Sequence, residues 1–120
     1  MEIKDSGARR EFTTGAVRDI DESKGRMDLL PWNAIMEVSK HCAAGALKYG
    51  EHNVDLGIPT HSLIDSAMRH GAKHIAGWED EPHLLAMCWN ALWALEMTLT
   101  RPDLDDIPWN KERSKTDDVQ

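Results

Sequence analysis

Three stretches of this chain repeat their apolar residues with a helical period, and the segments between them are rich in glycine, proline and charge. Over 32–48, Ile35, Val38, Cys42 and Ala46 recur at three- and four-residue steps, which predicts an amphipathic helix with a core-facing stripe. A second helix is predicted from Ser62 as N-cap, with Asp65 three positions on completing a capping box. Leu63, Ile64, Ala67, Met68 and Ile75 make its buried side, and Gly71 and then Gly77 weaken and end it. The third stretch, His83 to Leu99, is apolar almost all the way round and reads as a buried helix. Pro82 suits its first turn, Asp80 and Glu81 complement its positive end, and Arg101-Pro102 stops it. It is too short and too interrupted to span a bilayer, which needs ~20 consecutive apolar residues.

The remainder has no sustained period. Residues 1–10 carry no pattern, and 10–31, punctuated by Gly15 and Gly25, read as an ordered loop in which Arg18, Lys24 and Arg26 form a small basic cluster. Residues 48–59 form a connector dense in hydrogen-bonding side chains, among them Lys48, Tyr49, His52 and Asn53. Residues 101–109 are expected to fold back through Ile107 and Trp109, and 110–120 to be a polar, disordered tail. The expected architecture is an all-α small helical bundle over 1–109 with the tail at 110–120.

Composition narrows the function. With 120 residues and a formal net charge of −7, the chain makes one domain and lacks the basic balance of a general nucleic-acid binder. A small phosphate ligand held locally by Arg, Lys or metal remains open. Cys42 and Cys88 sit in apolar helical stretches without metal spacing and are expected to be reduced core thiols. No apolar signal-peptide core or lipidation motif appears, so a soluble cytoplasmic protein without a membrane partner is expected. Five tryptophans stand against one Tyr and one Phe, and Trp89 and Trp93 lie four apart on the third helix. That is more apolar surface than a small monomer hides, which predicts a subunit interface in a homo-oligomer, a dimer or tetramer.

Two polar residues notch the third helix. His83 and Asn90 are seven apart and share a face, so each must find a partner in the core or bind something. On the first helix Glu37 and His41 are one turn apart, a spacing that serves a metal or an ordinary surface pair. On the second, Arg69, His70, Lys73 and His74 gather potential positive charge where the helix dipole alone would favour it. No Walker loop, Rossmann glycine pattern, CxxC pair or HExxH occurs. A thiolate nucleophile at Cys88 is disfavoured among Leu, Met and Trp. What remains is a dispersed set of acids, histidines and bases at helix ends and connectors. Oxygen-rich clusters of this kind suit Mg²⁺ or Mn²⁺ bridging phosphates.

The ordered series Gly15-Ala-Val-Arg-Asp, Lys24-Gly-Arg-Met-Asp-Leu-Leu-Pro31, Gly45-Ala-Leu-Lys-Tyr-Gly-Glu-His-Asn53, Gly57-Ile-Pro, Arg69-His70 and His83-Leu to Trp89-Asn90 resembles the phage and bacterial dATP/dGTP diphosphohydrolase domain. That family is related to the all-α MazG-type nucleoside triphosphate pyrophosphohydrolases. The likeness covers roughly residues 12–97. It implies an oligomeric helical bundle that hydrolyses dATP or dGTP to the monophosphate and pyrophosphate with Mg²⁺ or Mn²⁺, in a bacterial host cell. It also implies roles: Glu37 and Asp80 as catalytic acids, Glu37, Asp80 and His83 as metal ligands, and Lys24, Arg26, Lys48, Asn53, Arg69, His70 and Asn90 as substrate-binding residues. Val54 stands where the family usually has Trp, and Ala86 where a second histidine is expected. A non-catalytic helical interaction protein on the same scaffold is the alternative reading.

Overall fold

A computed structural model describes residues 9–20 and 22–109, which fall into two compact units, Met1–Pro31 and Trp32–Gln120. The expectations for residues 1–8 and 110–120 lie outside the described residues. The chain is mostly helical, with helices α1 (Trp32–Tyr49), α2 (Thr60–Ile75) and α3 (His83–Thr100), all in the second unit.

The first unit holds what the sequence reading took for loop. Strands β1 (Arg9–Glu11) and β2 (Val17–Asp19) pair antiparallel, and two short 3-10 turns follow at Glu22–Lys24 and Met27–Leu29. Arg9 pairs with Asp19 across the strands, and Gly15 closes the turn at φ 89°. The strands are three residues long, with no described strand residue fully buried, so no alternation of apolar and polar positions marked them.

In the second unit, α2 and α3 run antiparallel through one stripe of small side chains. Thr60, Leu63, Ala67 and Gly71 are the buried residues of α2, and His83, Ala86, Asn90, Ala94 and Met97 those of α3. Leu63 clusters with Ala94 and Met97 at one end, while His70 meets His83 at the other. The steps of three and four along both helices are those of a packing seam. Gly71 lets it close, since a β-carbon there would stand 3.0 Å from Met87 Sδ.

The observed burial corrects four expectations. α3 is not buried all round, because Leu84, Cys88, Leu92, Leu95 and Leu99 are exposed along a second stripe. Ile64, Met68 and Ile75 are likewise exposed on α2, and Cys42 on α1. Both cysteines are therefore surface thiols. On α1 the inward side consists of half-buried Ile35, Val38, His41, Gly45 and Ala46, so the stripe passes through His41 instead of Cys42.

The start of α2 also differs. Its N-cap is Pro59, at φ −55°, and Ser62 is already inside the helix, its N–H donating to the Pro59 carbonyl at 3.1 Å. The first-turn N–H of His61 finds its acceptor in Asp106 Oδ1 at 2.9 Å, and the Asp106 carboxylate also meets the His61 ring nitrogen. The cap thus comes from the returning C-terminal segment, and Asp65 is free to pair with Arg69. The far end of α2 is as expected. Gly77 at φ 82° donates to the His74 carbonyl and Trp78 to that of Lys73, a Schellman ending.

Candidate functional site

The turn from α2 to α3 is short, and it folds His70 back onto the first residue of α3. His83 has no exposed side-chain surface, yet it keeps two polar partners: Nε2 lies 2.7 Å from Asp80 Oδ1, and Nδ1 lies 2.9 Å from Nδ1 of His70. A carboxylate only accepts, so Nε2 of His83 carries the proton and donates it. Its Nδ1 edge meets that of His70, and a single proton serves that contact. The Asp80 carboxyl is held below the usual carboxylate range by the hydrogen bond from His83. Burial first, and the neighbouring His83 second, hold the His70 imidazole below its ordinary value, so it is neutral near pH 7.

Glu81 completes the group. One donor atom each from His70, Glu81 and His83 lie within 4.8 Å of one another. Two imidazoles and a carboxylate at that separation fit a divalent ion. Trp78 stands over the site with its ring 6.5 Å from that of His83, and Lys73 Nζ lies 5.4 Å from the Trp78 ring on its other contact.

His70 and Glu81 also border an open cavity of about 830 Å³ lined by α1, the α1–α2 connector, α2 and α3. Its wall is aromatic: Tyr49 and His41 from α1, and Trp89 and Trp93 from α3. His41 meets Trp89 edge-on at 5.7 Å, and the two indoles are 6.2 Å apart. Asn90 supplies a buried polar group. Its Nδ2 donates to the Ala86 carbonyl at 2.8 Å, the one hydrogen bond of its amide among the described residues. The connector contributes Glu51, Asn53 and Asp55, together with His52, whose φ of 61° is the left-handed conformation a side chain rarely adopts. His52 Nδ1 stands 2.7 Å from Asp55 Oδ2.

The residues expected from sequence are distributed unevenly. Asp80, His83 and His70 come together; Asn53 and Asn90 line the cavity with His70. Asp80 touches His83 and stands outside the three-residue group. Glu37 is exposed on α1, pairs with Lys40 at 2.9 Å and does not line the cavity. Arg69 pairs with Asp65, and Lys48 Nζ sits 5.1 Å over the Tyr49 ring; neither lines the cavity. Lys24 and Arg26 belong to the first unit, where Arg26 pairs with Asp28 at 2.6 Å. Glu81 was missed as a possible ligand because three consecutive acids before a helix already had a reason in the helix dipole. The signal for it was present: an acid two residues before a buried histidine, with another histidine on the preceding helix.

The second unit is thus a helical scaffold that forms an open, aromatic-walled cavity and sets a histidine–carboxylate group at its edge, the arrangement of a small-molecule site. A family model described as dATP/dGTP diphosphohydrolase, N-terminal, matches residues 14–107, and the chain belongs to that family. Neither a curated protein nor a solved structure matches the chain. Among the described residues no helix is long and apolar enough to cross a membrane.

Proposed function

We propose that this chain is a nucleoside triphosphate diphosphohydrolase that splits dATP or dGTP into the monophosphate and pyrophosphate, with a divalent ion, Mg²⁺ or Mn²⁺, at the edge of the cavity. The observation that carries this reading is the joining, within one unit, of the aromatic cavity and the His70–Glu81–His83 group. The flat faces of Trp89, Trp93 and Tyr49 suit a base, and the free acceptor of Asn90 suits a donor on its edge. The cavity's own charge adds a requirement. Glu51, Asp55 and Glu81 line it, and no lysine or arginine among the described residues does. A triphosphate beside three carboxylates is repelled unless cations intervene. His70, Glu81 and His83 would hold the ion, and Asp80 would fix the orientation of His83. When bound, the ion supplies charge neutralisation for the phosphates and lowers the pKa of a coordinated water.

The exposed stripe Leu84, Cys88, Leu92, Leu95 and Leu99 gives the expected homo-oligomer a candidate surface, because its spacing of three and four lets it mate with a second copy of itself. A dNTP hydrolase acts where free nucleotides are, in the cytoplasm of a bacterial host cell, and has no use for polymeric nucleic acid. The test is product analysis with each dNTP and NTP, with Mg²⁺ or Mn²⁺ and with chelator. Metal-dependent release of pyrophosphate with dAMP or dGMP is the expected result. Absence of hydrolysis by folded protein with every nucleotide and ion would overturn the reading in favour of a non-catalytic binding protein.

A further inference from the structure

We propose that His70, Glu81 and His83 form a site for a first-row transition ion of the Mn²⁺, Co²⁺ or Zn²⁺ class in preference to Mg²⁺, with Asp80 as the residue that positions His83. The inference deepens the nucleotide-hydrolase reading by naming the ion, but it stands on geometry that involves no nucleotide.

The first argument is the donor set. Mg²⁺ demands a near-octahedral shell of oxygens and gives up water reluctantly, whereas imidazole nitrogen suits the transition ions. Two of the three groups that converge here are imidazoles. The second is spacing. Ligands bound at ~2.1 Å to one ion stand roughly 3.0–3.4 Å apart at right-angled or tetrahedral positions. His70 Nδ1 and His83 Nδ1 are 2.9 Å apart, close to that value, so little ring movement is required. Glu81 is exposed, within 4.8 Å, and free to close the remaining distance. As the ion enters, His70 takes the tautomer with its proton on Nε2, so that the Nδ1 lone pairs of both rings face the ion.

The third argument is the outer partner. Metal-binding histidines characteristically donate their other N–H to a carboxylate, which fixes the tautomer and strengthens the donor. Asp80 Oδ1 stands 2.7 Å from Nε2 of His83, on the ring edge opposite His70. The ring itself has no exposed surface, so its packing and Asp80 together hold its orientation.

The experiment is titration of the chelator-treated, dialysed full chain with Co²⁺, read by visible absorption and by tryptophan fluorescence, since Trp78 stands 6.5 Å from the His83 ring. Expected are saturable ligand-field bands at one ion per chain with parallel quenching, reversal by Zn²⁺ at comparable concentration, and no reversal by Mg²⁺ in large excess. Glu81→Gln and His70→Ala should each weaken Co²⁺ binding by ~10²-fold or more, and Asp80→Asn by ~10–100-fold with the bands retained. Glu81 is exposed, so its substitution leaves folding intact and keeps the test decisive if His70→Ala misfolds. Equal competition by Mg²⁺, or unaltered Co²⁺ binding in Glu81→Gln or in a folded His70→Ala, would overturn the proposal. Mg²⁺-dependent dNTP hydrolysis that persists after such a failure would leave the hydrolase reading standing. Co²⁺ binding through these residues with no hydrolysis under any ion would do the reverse.

Discussion

Asn90 tests whether the polar notch of α3 serves the fold or a ligand. Substitution by leucine keeps the side-chain volume and branching close to those of the amide. The hydrogen bond from Nδ2 to the Ala86 carbonyl is lost, at about 1 kcal/mol, but that carbonyl retains its helical partner. Removal of the amide oxygen, which is not a buried orphan, changes little. Leucine is also the better helix former by a few tenths of a kcal/mol. Its full burial would be worth about 1.5–3 kcal/mol, and half of that is a fair share for a residue that is 8% exposed but borders a cavity. Asn90→Leu should therefore leave stability unchanged or raise it by up to about 1 kcal/mol. Nucleotide binding should move the other way. A base donor buried opposite leucine goes unpaired, at ~1–3 kcal/mol, which is about 5- to 150-fold in affinity. Urea unfolding followed by circular dichroism, alongside equilibrium binding of the nucleotide that is hydrolysed, measures both. A loss of stability beyond about 1 kcal/mol with unaltered binding would refute the argument, because the amide would then be a satisfied part of the core.

Three further outcomes are expected. Leu84, Leu92, Leu95 and Leu99 are 50–71% exposed, so burying each against a second copy is worth about 1 kcal/mol, or roughly 8–10 kcal/mol gross for a symmetric pair. That barely meets the ~4–15 kcal/mol cost of association, so a dimer of micromolar or weaker affinity is expected, and Leu92→Lys with Leu95→Lys should abolish it in sedimentation experiments. A wild-type chain that stays monomeric at high concentration would remove the exposed leucine stripe as an interface. The Asp106 carboxyl is held below its ordinary value first by the backbone N–H of His61 and then by its ring, so its stabilising effect is complete above the unfolded carboxylate pKa of ~3.9 and is lost as pH falls through the lower folded value. The stability gap between wild type and Asp106→Asn should therefore be constant near neutrality and close below about pH 4, and a gap independent of pH would contradict this. Gly57 has φ 108°, and a β-carbon there would lie 2.7 Å from Leu104 Cδ1 and 3.1 Å from Arg101 Nη1. Leu104 can turn aside, so backbone strain dominates, and Gly57→Ala should cost ~1–3 kcal/mol in urea unfolding; an unchanged midpoint would count against it.

The sequence exposes some parts of this molecule better than others, for physical reasons. Helical period and the glycine endings were enough to find α1, α2 and α3, because both signals are local. The start of α2 was not local: its first-turn donor is met by Asp106, 45 residues further on, so Ser62 and Asp65 imitated a cap that the chain does not use. The buried face of α3 was hidden for the opposite reason. Where nearly every position is apolar, period carries no information, and the choice fell to the small residues Ala86 and Ala94, which allow close approach to Ala67 and Gly71.

The site divides along the same line. His83 and Asn90 could be singled out because a polar residue on an apolar helix must be accounted for, and both prove to be buried. What they are buried against could not be read, since it depends on α2 running antiparallel to α3 and returning His70 to a point thirteen residues later in the chain. Asp80 and Glu81 show how fine the remaining choice is. They are adjacent acids with the same electrostatic reason to precede α3, yet one reaches the Nε2 edge of His83 and the other the group formed by its Nδ1 edge. Backbone geometry in the turn before Pro82 assigns these two places, and no periodicity in the sequence encodes it. Separating the pair by Asp80→Asn and Glu81→Gln therefore measures what the structure adds: one substitution should weaken the orientation of a ligand, the other should delete one.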